Sequence, residues 1–145
     1  LIGSTPLNWI TDMSPSTAKE FQFTLNFDSE ADYFVQKMRG VVSTSDIINA
    51  MAVLRQHPTF KSDSRVLWDM TETDFGMIQF DEINDFAERA EASMTQPKRE
   101  AKIACVGESD MQFAVIRQIL ATAGWDDEYV KVTRSLDDAK AWLTQ

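Results

Sequence analysis

From Phe21 to Phe27 the chain reads Phe-Gln-Phe-Thr-Leu-Asn-Phe, strictly apolar then polar. A period of two belongs to a strand with one buried face. Asp28 to Asp32 is a polar turn, and Tyr33 to Arg39 is a second strand candidate that ends at Gly40. Two strands joined so briefly predict an antiparallel hairpin. The period then changes. Ser43, Thr44 and Ser45 offer N-caps, and Ile47, Ile48, Met51 and Leu54 follow at helical spacing as far as His57-Pro58.

The alternation of periods continues to the end of the chain. Arg65 to Asp69 predicts a buried strand ending in a carboxylate. Asp81 is placed to cap a helix with the stripe Ile83, Phe86, Ala87, Ala90 and Met94, which Pro97 closes. Lys102 to Val106 predicts a strand that Gly107 ends. Ser109 and Gln112 form a capping-box pair before the stripe Phe113, Ile116, Leu120 and Ala123, and Gly124 supplies the stop. Tyr129 to Thr133 is the last strand. Ser135 and Asp138 repeat the capping pattern before Ala139, Trp142 and Leu143. The order is β-β-α-β-α-β-α-β-α. Strands that alternate with helices pair in parallel through right-handed crossovers. The fold class is α/β: a mainly parallel sheet of about five strands with an antiparallel edge strand and helices packed on it.

Residues 1–20 are rich in Ser, Thr and Pro and show no period. They read as a flexible arm or a fusion remnant, with Met13 available as a native start, and 21–145 as a single domain. A chain of 145 residues buries roughly 68–70% of its unfolded surface, enough for a core without staples. The single Cys makes no internal disulfide, so nothing requires an oxidising compartment. With no secretory signal in view, a cytoplasmic location is expected. Cys105 reads as a small buried hydrophobe and His57 as a solvated residue at a helix end. One Cys and one His exclude a His/Cys zinc site within one chain. No metal site or cofactor is expected.

The net charge of -9 argues against duplex nucleic acid, which needs clustered cations. The one basic cluster, Lys98-Arg99, is followed at once by Glu100. No apolar run approaches the roughly 18 residues of a membrane span. Trp125 precedes three acids and is expected to be partly exposed, whereas Trp68 and Trp142 fall on core positions.

Three stretches carry a family resemblance. They are Gly40-Val41-Val42-Ser43-Thr44-Ser45-Asp46 before the first helix, Val66-Leu67-Trp68-Asp69 as the central strand, and Ser135 to Leu143 as the closing helix. With the element order, they make residues 21–145 resemble the SpoIIAA-like fold of STAS domains, and most of all the small bacterial STAS/SEC14-like proteins, which are mostly uncharacterised. Phosphorylatable members carry Asp-Ser-Ser-Gly soon after the central strand. Here that stretch is Phe75-Gly76-Met77-Ile78-Gln79-Phe80-Asp81-Glu82, with no Ser or Thr. The phosphoserine switch therefore does not carry over. Thr71 and Thr73 lie among Glu72 and Asp74, where a phosphate would meet like charge.

Ligands of open parallel sheets sit beyond the carboxyl ends of the strands. That rule selects Asp69, Thr71, Glu72, Gly107, Glu108, Ser109 and Arg134. Asp69 is the sharpest, because a carboxylate at a buried strand end is costly unless paired or used. Its ordinary role would be to accept N–H bonds from the following turn. A phosphate-receiver reading of Asp69 fails, since Thr133-Arg134 stand where a lysine is required and Lys131 is mid-strand. No Gly-x-Ser-x-Gly elbow occurs. No catalytic set can be assembled. The reading that follows is a non-enzymatic regulatory or protein-interaction domain, docking on a protein partner or on itself as a dimer through an edge strand or the helix within 81–94. A SEC14-like carrier of a small apolar ligand or lipid is the alternative, and an enzyme built on Asp69 the second alternative.

Overall fold

The structure is a computed structural model that describes residues 20–93, 102–125 and 128–145. Most of the expected arm, Met94, Pro97, Lys98-Arg99 and Asp126-Asp127 lie outside the described residues. The elements are β1 (Gln22–Asp28), β2 (Tyr33–Val41), α1 (Thr44–Gln56), β3 (Arg65–Asp74), α2 (Phe80–Ser93), β4 (Ile103–Val106), α3 (Asp110–Ala123), β5 (Val130–Thr133) and α4 (Leu136–Leu143). They form one five-stranded sheet in the order β1-β2-β3-β4-β5. β1 runs antiparallel to β2, and every other pairing is parallel.

That sequential order decides where the helices go. Each right-handed crossover steps in the same direction across the sheet, so α1, α2 and α3 land on one face. Ile47, Met51, Ile83, Phe86, Ile116 and Ile119 there pack on Phe34, Met38, Val66, Trp68 and Cys105. α4 follows the last strand and lies on the other face, where Ala139 and Leu143 meet Tyr33, Leu67, Ala104 and Val106. Strand alternation supplies both sets from the same strands: Val66 and Trp68 point one way, Leu67 the other.

The local signals work as chemistry. Ser43 and Asp46 exchange side-chain and backbone bonds at the start of α1, and Ser109 and Gln112 do so at α3. Ser135 Oγ accepts from Asp138 N–H at 3.3 Å. Gly124 closes α3 with φ 73°. Arg65 Nη1 donates to the Leu143 carbonyl at 3.0 Å, and Lys102 Nζ to the Trp142 carbonyl at 3.1 Å. Two cations at the start of neighbouring strands thus hold the orphan carbonyls that end α4.

Four expectations need correction. Gly40 does not end β2; its φ of 95° is open to glycine, and the strand continues to Val41. Asp81 does not cap α2. Glu82 Oε1 instead accepts the Gln79 N–H at 2.9 Å, so the helix opens two residues earlier than a cap at Asp81 would set it, at Phe80. His57 is half-buried rather than solvated, with its ring edge-on to Phe34 at 5.1 Å and Nδ1 accepting from Thr59 N–H. Trp142 is half-buried at the margin of the α4 face rather than in the core. Trp125 is partly exposed as expected, and it stacks on Trp68 with centroids 6.2 Å apart.

Candidate functional site

The carboxyl ends of the strands are not level. β4 stops at Val106, opposite Asp69. β3 runs on to Asp74, paired there only with β2. Asp69 is therefore in the middle of β3 rather than at its end, a correction to the sequence reading. It stands where β3 loses its neighbour on one side.

β3 also carries one extra residue at that point. Lys37 pairs with Asp69 and Arg39 with Glu72, so Met70 and Thr71 together face Met38. Such a bulge re-aims side chains and leaves backbone groups unpaired. Beyond Val106, the carbonyls of Thr71 and Thr73 have lost the strand that would donate to them. Gln112 Nε2 replaces it, donating to Thr71 O at 3.0 Å and Thr73 O at 2.9 Å. Gln112 Oε1 accepts the N–H groups of Glu108 at 2.9 Å and Ser109 at 3.1 Å. Both donors and the acceptor of this buried amide are engaged, and one side chain joins β3 to the first turn of α3.

Gly107 makes that approach possible. A Cβ there would sit 2.9 Å from Gln112 Cβ and 2.9 Å from Ile116 Cδ1. Its role is close packing of turn against helix, not cradling of an anion. Ser109 Oγ accepts from Gln112 N–H at 3.0 Å, which is the cap itself.

Asp69 is 5% exposed. Its Oδ1 accepts from Thr71 N–H at 3.0 Å and Thr71 Oγ1 at 2.7 Å. The bulge brings Thr71 back to the carboxylate, the role the sequence reading had assigned to a turn. Lys37, its register partner, sends Nζ to Glu72 Oε2 at 2.7 Å. That hydrogen bond, with the Glu72 and Asp69 charges, holds the Lys37 ammonium above its ordinary pKa. Both side chains are over a third exposed, so solvent screens the pair. Arg134 reaches back from the end of β5 to Asp110 Oδ1 at 2.7 Å and the Glu108 carbonyl at 3.4 Å, with its guanidinium 4.6 Å above the Phe113 ring.

The seven residues that the strand-end rule selects thus come together at one end of the sheet. Asp69 and Thr71 bond directly. Gln112 links Thr71 to Glu108 and Ser109, and Arg134 closes onto Glu108. Glu72 turns instead to Lys37. Sequence reasoning missed Gln112 and Lys37. The sequence marks Gln112 only as a capping residue, and the signal of its further role is a polar side chain on the same helical face as Ile116 and Ile119.

Cys105 lies on the face of the sheet that α1, α2 and α3 cover, where burial pushes its thiol up to about 12. Trp68 is buried beside it, and the indole Nε1 donates to Gln36 Oε1 at 2.8 Å while Gln36 Nε2 donates to the Ala50 carbonyl at 2.9 Å. An apolar cavity of about 30 Å³ lies among Trp68, Cys105, Met51, Phe86, Ile116 and Trp125. That is room for a water, against the roughly 300–1,000 Å³ of small-molecule sites. No group of three His, Cys, Asp or Glu able to hold a metal is present among the described residues. Among them no helix is long and apolar enough to cross a membrane.

No family model matches the chain, and no curated protein matches it. Among solved structures it is similar to an uncharacterized DUF3478-family protein from Shewanella loihica PV-4 described as having a SpoIIAA-like fold. The match has a TM-score of 0.53 at 16% identity and covers 91% of this chain and 99% of that one. The fold is SpoIIAA-like. In this SpoIIAA-like domain the stretch Phe75 to Glu82 after β3 holds no Ser or Thr. Phe75 is buried at 2% exposure, Gly76 N–H donates to Asp74 Oδ1 at 2.8 Å, and Met77 is 69% exposed.

Proposed function

We propose that this chain is a non-enzymatic regulatory or protein-interaction domain of the SpoIIAA/STAS type that works without a phosphoserine switch. The observation that carries the reading is Gln112. Where a ligand of a parallel sheet would bind, its amide is bonded on every side to Thr71, Thr73, Glu108 and Ser109. Asp69 is bonded to Thr71 and Arg134 to Asp110. A site for turnover keeps polar groups free for substrate; here they hold β3, α3 and β5 together. The carrier reading is less favoured, since the apolar cavity within the core, as the described residues line it, is about 30 Å³.

Capture tests it. The tagged chain is expressed in its native cell, cross-linked and purified, and bound proteins are identified by mass spectrometry. A stoichiometric partner, or a second copy seen also by sedimentation, is expected. Recovery of the monomeric chain alone at every concentration overturns the reading.

A further inference from the structure

Resting on that interaction reading, we propose that the outer edge of β5 receives an extended acidic segment of a partner protein as an added strand. β5 is the last strand of the sheet, and among the described residues no strand pairs with its outer side. The Tyr129 and Thr133 carbonyls accept from Ile103 and Gly107 N–H on the β4 side. Strand alternation therefore turns the N–H and C=O groups of Val130 and Val132 outward. Along this edge runs an open groove of about 660 Å³, with Phe113, Leu120 and Trp125 on the α3 side and Trp142 on the α4 side. An added strand alternates its side chains between two such walls.

Charge selects the occupant. The ionised residues lining the groove are Arg117 and Lys131, and no acid lines it among the described residues, in a chain of net charge -9. A second copy docked edge to edge would set Arg117 and Lys131 against their own counterparts, which costs rather than stabilises. An acidic segment meets cations instead. The opposite edge does not offer this, because the exposed face of β1 is Gln22, Thr24, Asn26 and Asp28, polar with one acid and no cation.

The probe is a short fluorescein-labelled peptide of alternating Glu and Val, followed by anisotropy and by amide shifts in ¹⁵N-labelled protein, with an alternating Lys and Val peptide as control. Saturable binding is expected for the Glu peptide, with shifts at Val130, Lys131 and Val132. Val132→Pro deletes an outward N–H that an edge strand tolerates losing. It should weaken binding about tenfold or more, as should the double variant Arg117→Glu with Lys131→Glu. If Val132→Pro does not fold by circular dichroism, the charge-reversal variant carries the test. Failure of the Glu peptide to bind, equal binding of the Lys peptide, shifts at β1, or self-association through β5 each overturns the proposal. So does displacement of the Glu peptide by the chain's own residues 1–19. A captured partner that binds both variants undiminished overturns the edge proposal and leaves the interaction reading standing. Absence of any partner removes the interaction reading itself.

Discussion

The Gln112 side-chain amide on α3 donates to the Thr73 carbonyl on β3 at 2.9 Å, in the place where a longer β4 would have put a backbone N–H. The same nitrogen reaches Thr71 O, and the oxygen of the amide holds two N–H groups of the turn before α3. Replacing Gln112 with Leu keeps the bulk and removes all four bonds. Each buried group left unpaired costs about 1–3 kcal/mol. Gln112→Leu should therefore lose about 3 kcal/mol or more by urea denaturation. Hydrogen exchange should speed up in the Glu108–Ser109 turn, whose N–H groups lose their acceptor. An unchanged midpoint would mean that water replaces the amide.

Gly107 tests the same junction by shape. Gly107→Ala places a methyl 2.9 Å from Gln112 Cβ and from Ile116 Cδ1 and 3.1 Å from the Gln112 backbone carbon, and the two Gln112 atoms are fixed on the helix. Overpacking of this kind costs about 1–3 kcal/mol. The control is Gly124→Ala, where nothing lies within 4 Å and only the φ of +73° resists. That backbone strain is worth about 1 kcal/mol. Thermal unfolding should rank Gly107→Ala as the more damaging. The reverse order would show that turn and helix separate easily.

Deeper under the helices on this same face of the sheet, Gln36 is fully buried and takes the Trp68 indole N–H at 2.8 Å. Gln36→Leu strands that N–H in an apolar setting, for about 1–3 kcal/mol. The loss should be accompanied by a blue shift of tryptophan emission, since a polar acceptor leaves the indole. Gln36→Glu should be worse by chemical denaturation, because a buried carboxylate must desolvate or take a proton.

Much of the fold was legible because its signals are local. The alternation of Phe21 to Phe27, the capping pairs Ser43/Asp46 and Ser109/Gln112, and the stop at Gly124 each act within a few residues. The candidate site was legible in place but not in use. The rule about strand ends selects residues by topology and is blind to the second half of β3, where Thr71 to Asp74 has no apolar run. That half is a strand because β2 and Gln112 supply its partners, and both lie far away in sequence. The placement of α4 behind the sheet follows from strand order, which periodicity does not encode. Trp142 was misplaced because a helix at the sheet margin buries only part of a large ring.

Cys105 gives a pH dependence with a definite sign. Its thiol, with an ordinary pKa of 9.0, is pushed up to about 12 by burial alone. The folded state keeps the proton where the unfolded chain releases it. Below pH 9 the group contributes its full stability, which is lost as pH rises from 9 towards 12, at most about 1.4 kcal/mol per pH unit. The unfolding free energy of the native protein should fall more steeply over that window than that of Cys105→Ala. At pH 8 a thiol-specific disulfide reagent should react with the chain in denaturant and not with the folded protein. Rapid reaction of the folded state would place the thiol in contact with solvent.

Asp69→Asn separates the two uses a buried carboxylate can have. Asp69 accepts two hydrogen bonds from Thr71 across the β3 bulge. Bonds to a charged acceptor are stronger than neutral ones. If the carboxylate is there for the fold, Asn weakens both, and stability drops by about 1–2 kcal/mol. Thr71→Val should then cost less alone, and the double variant should be less damaging than the sum of the single ones, because the residues act as a pair. If Asp69 is instead held for chemistry, its charge is a burden on the folded state, and Asn should raise the melting temperature while abolishing an activity. The sign of the shift in one thermal denaturation series decides between them, and a fall with measurable Asp69–Thr71 coupling is the expected outcome.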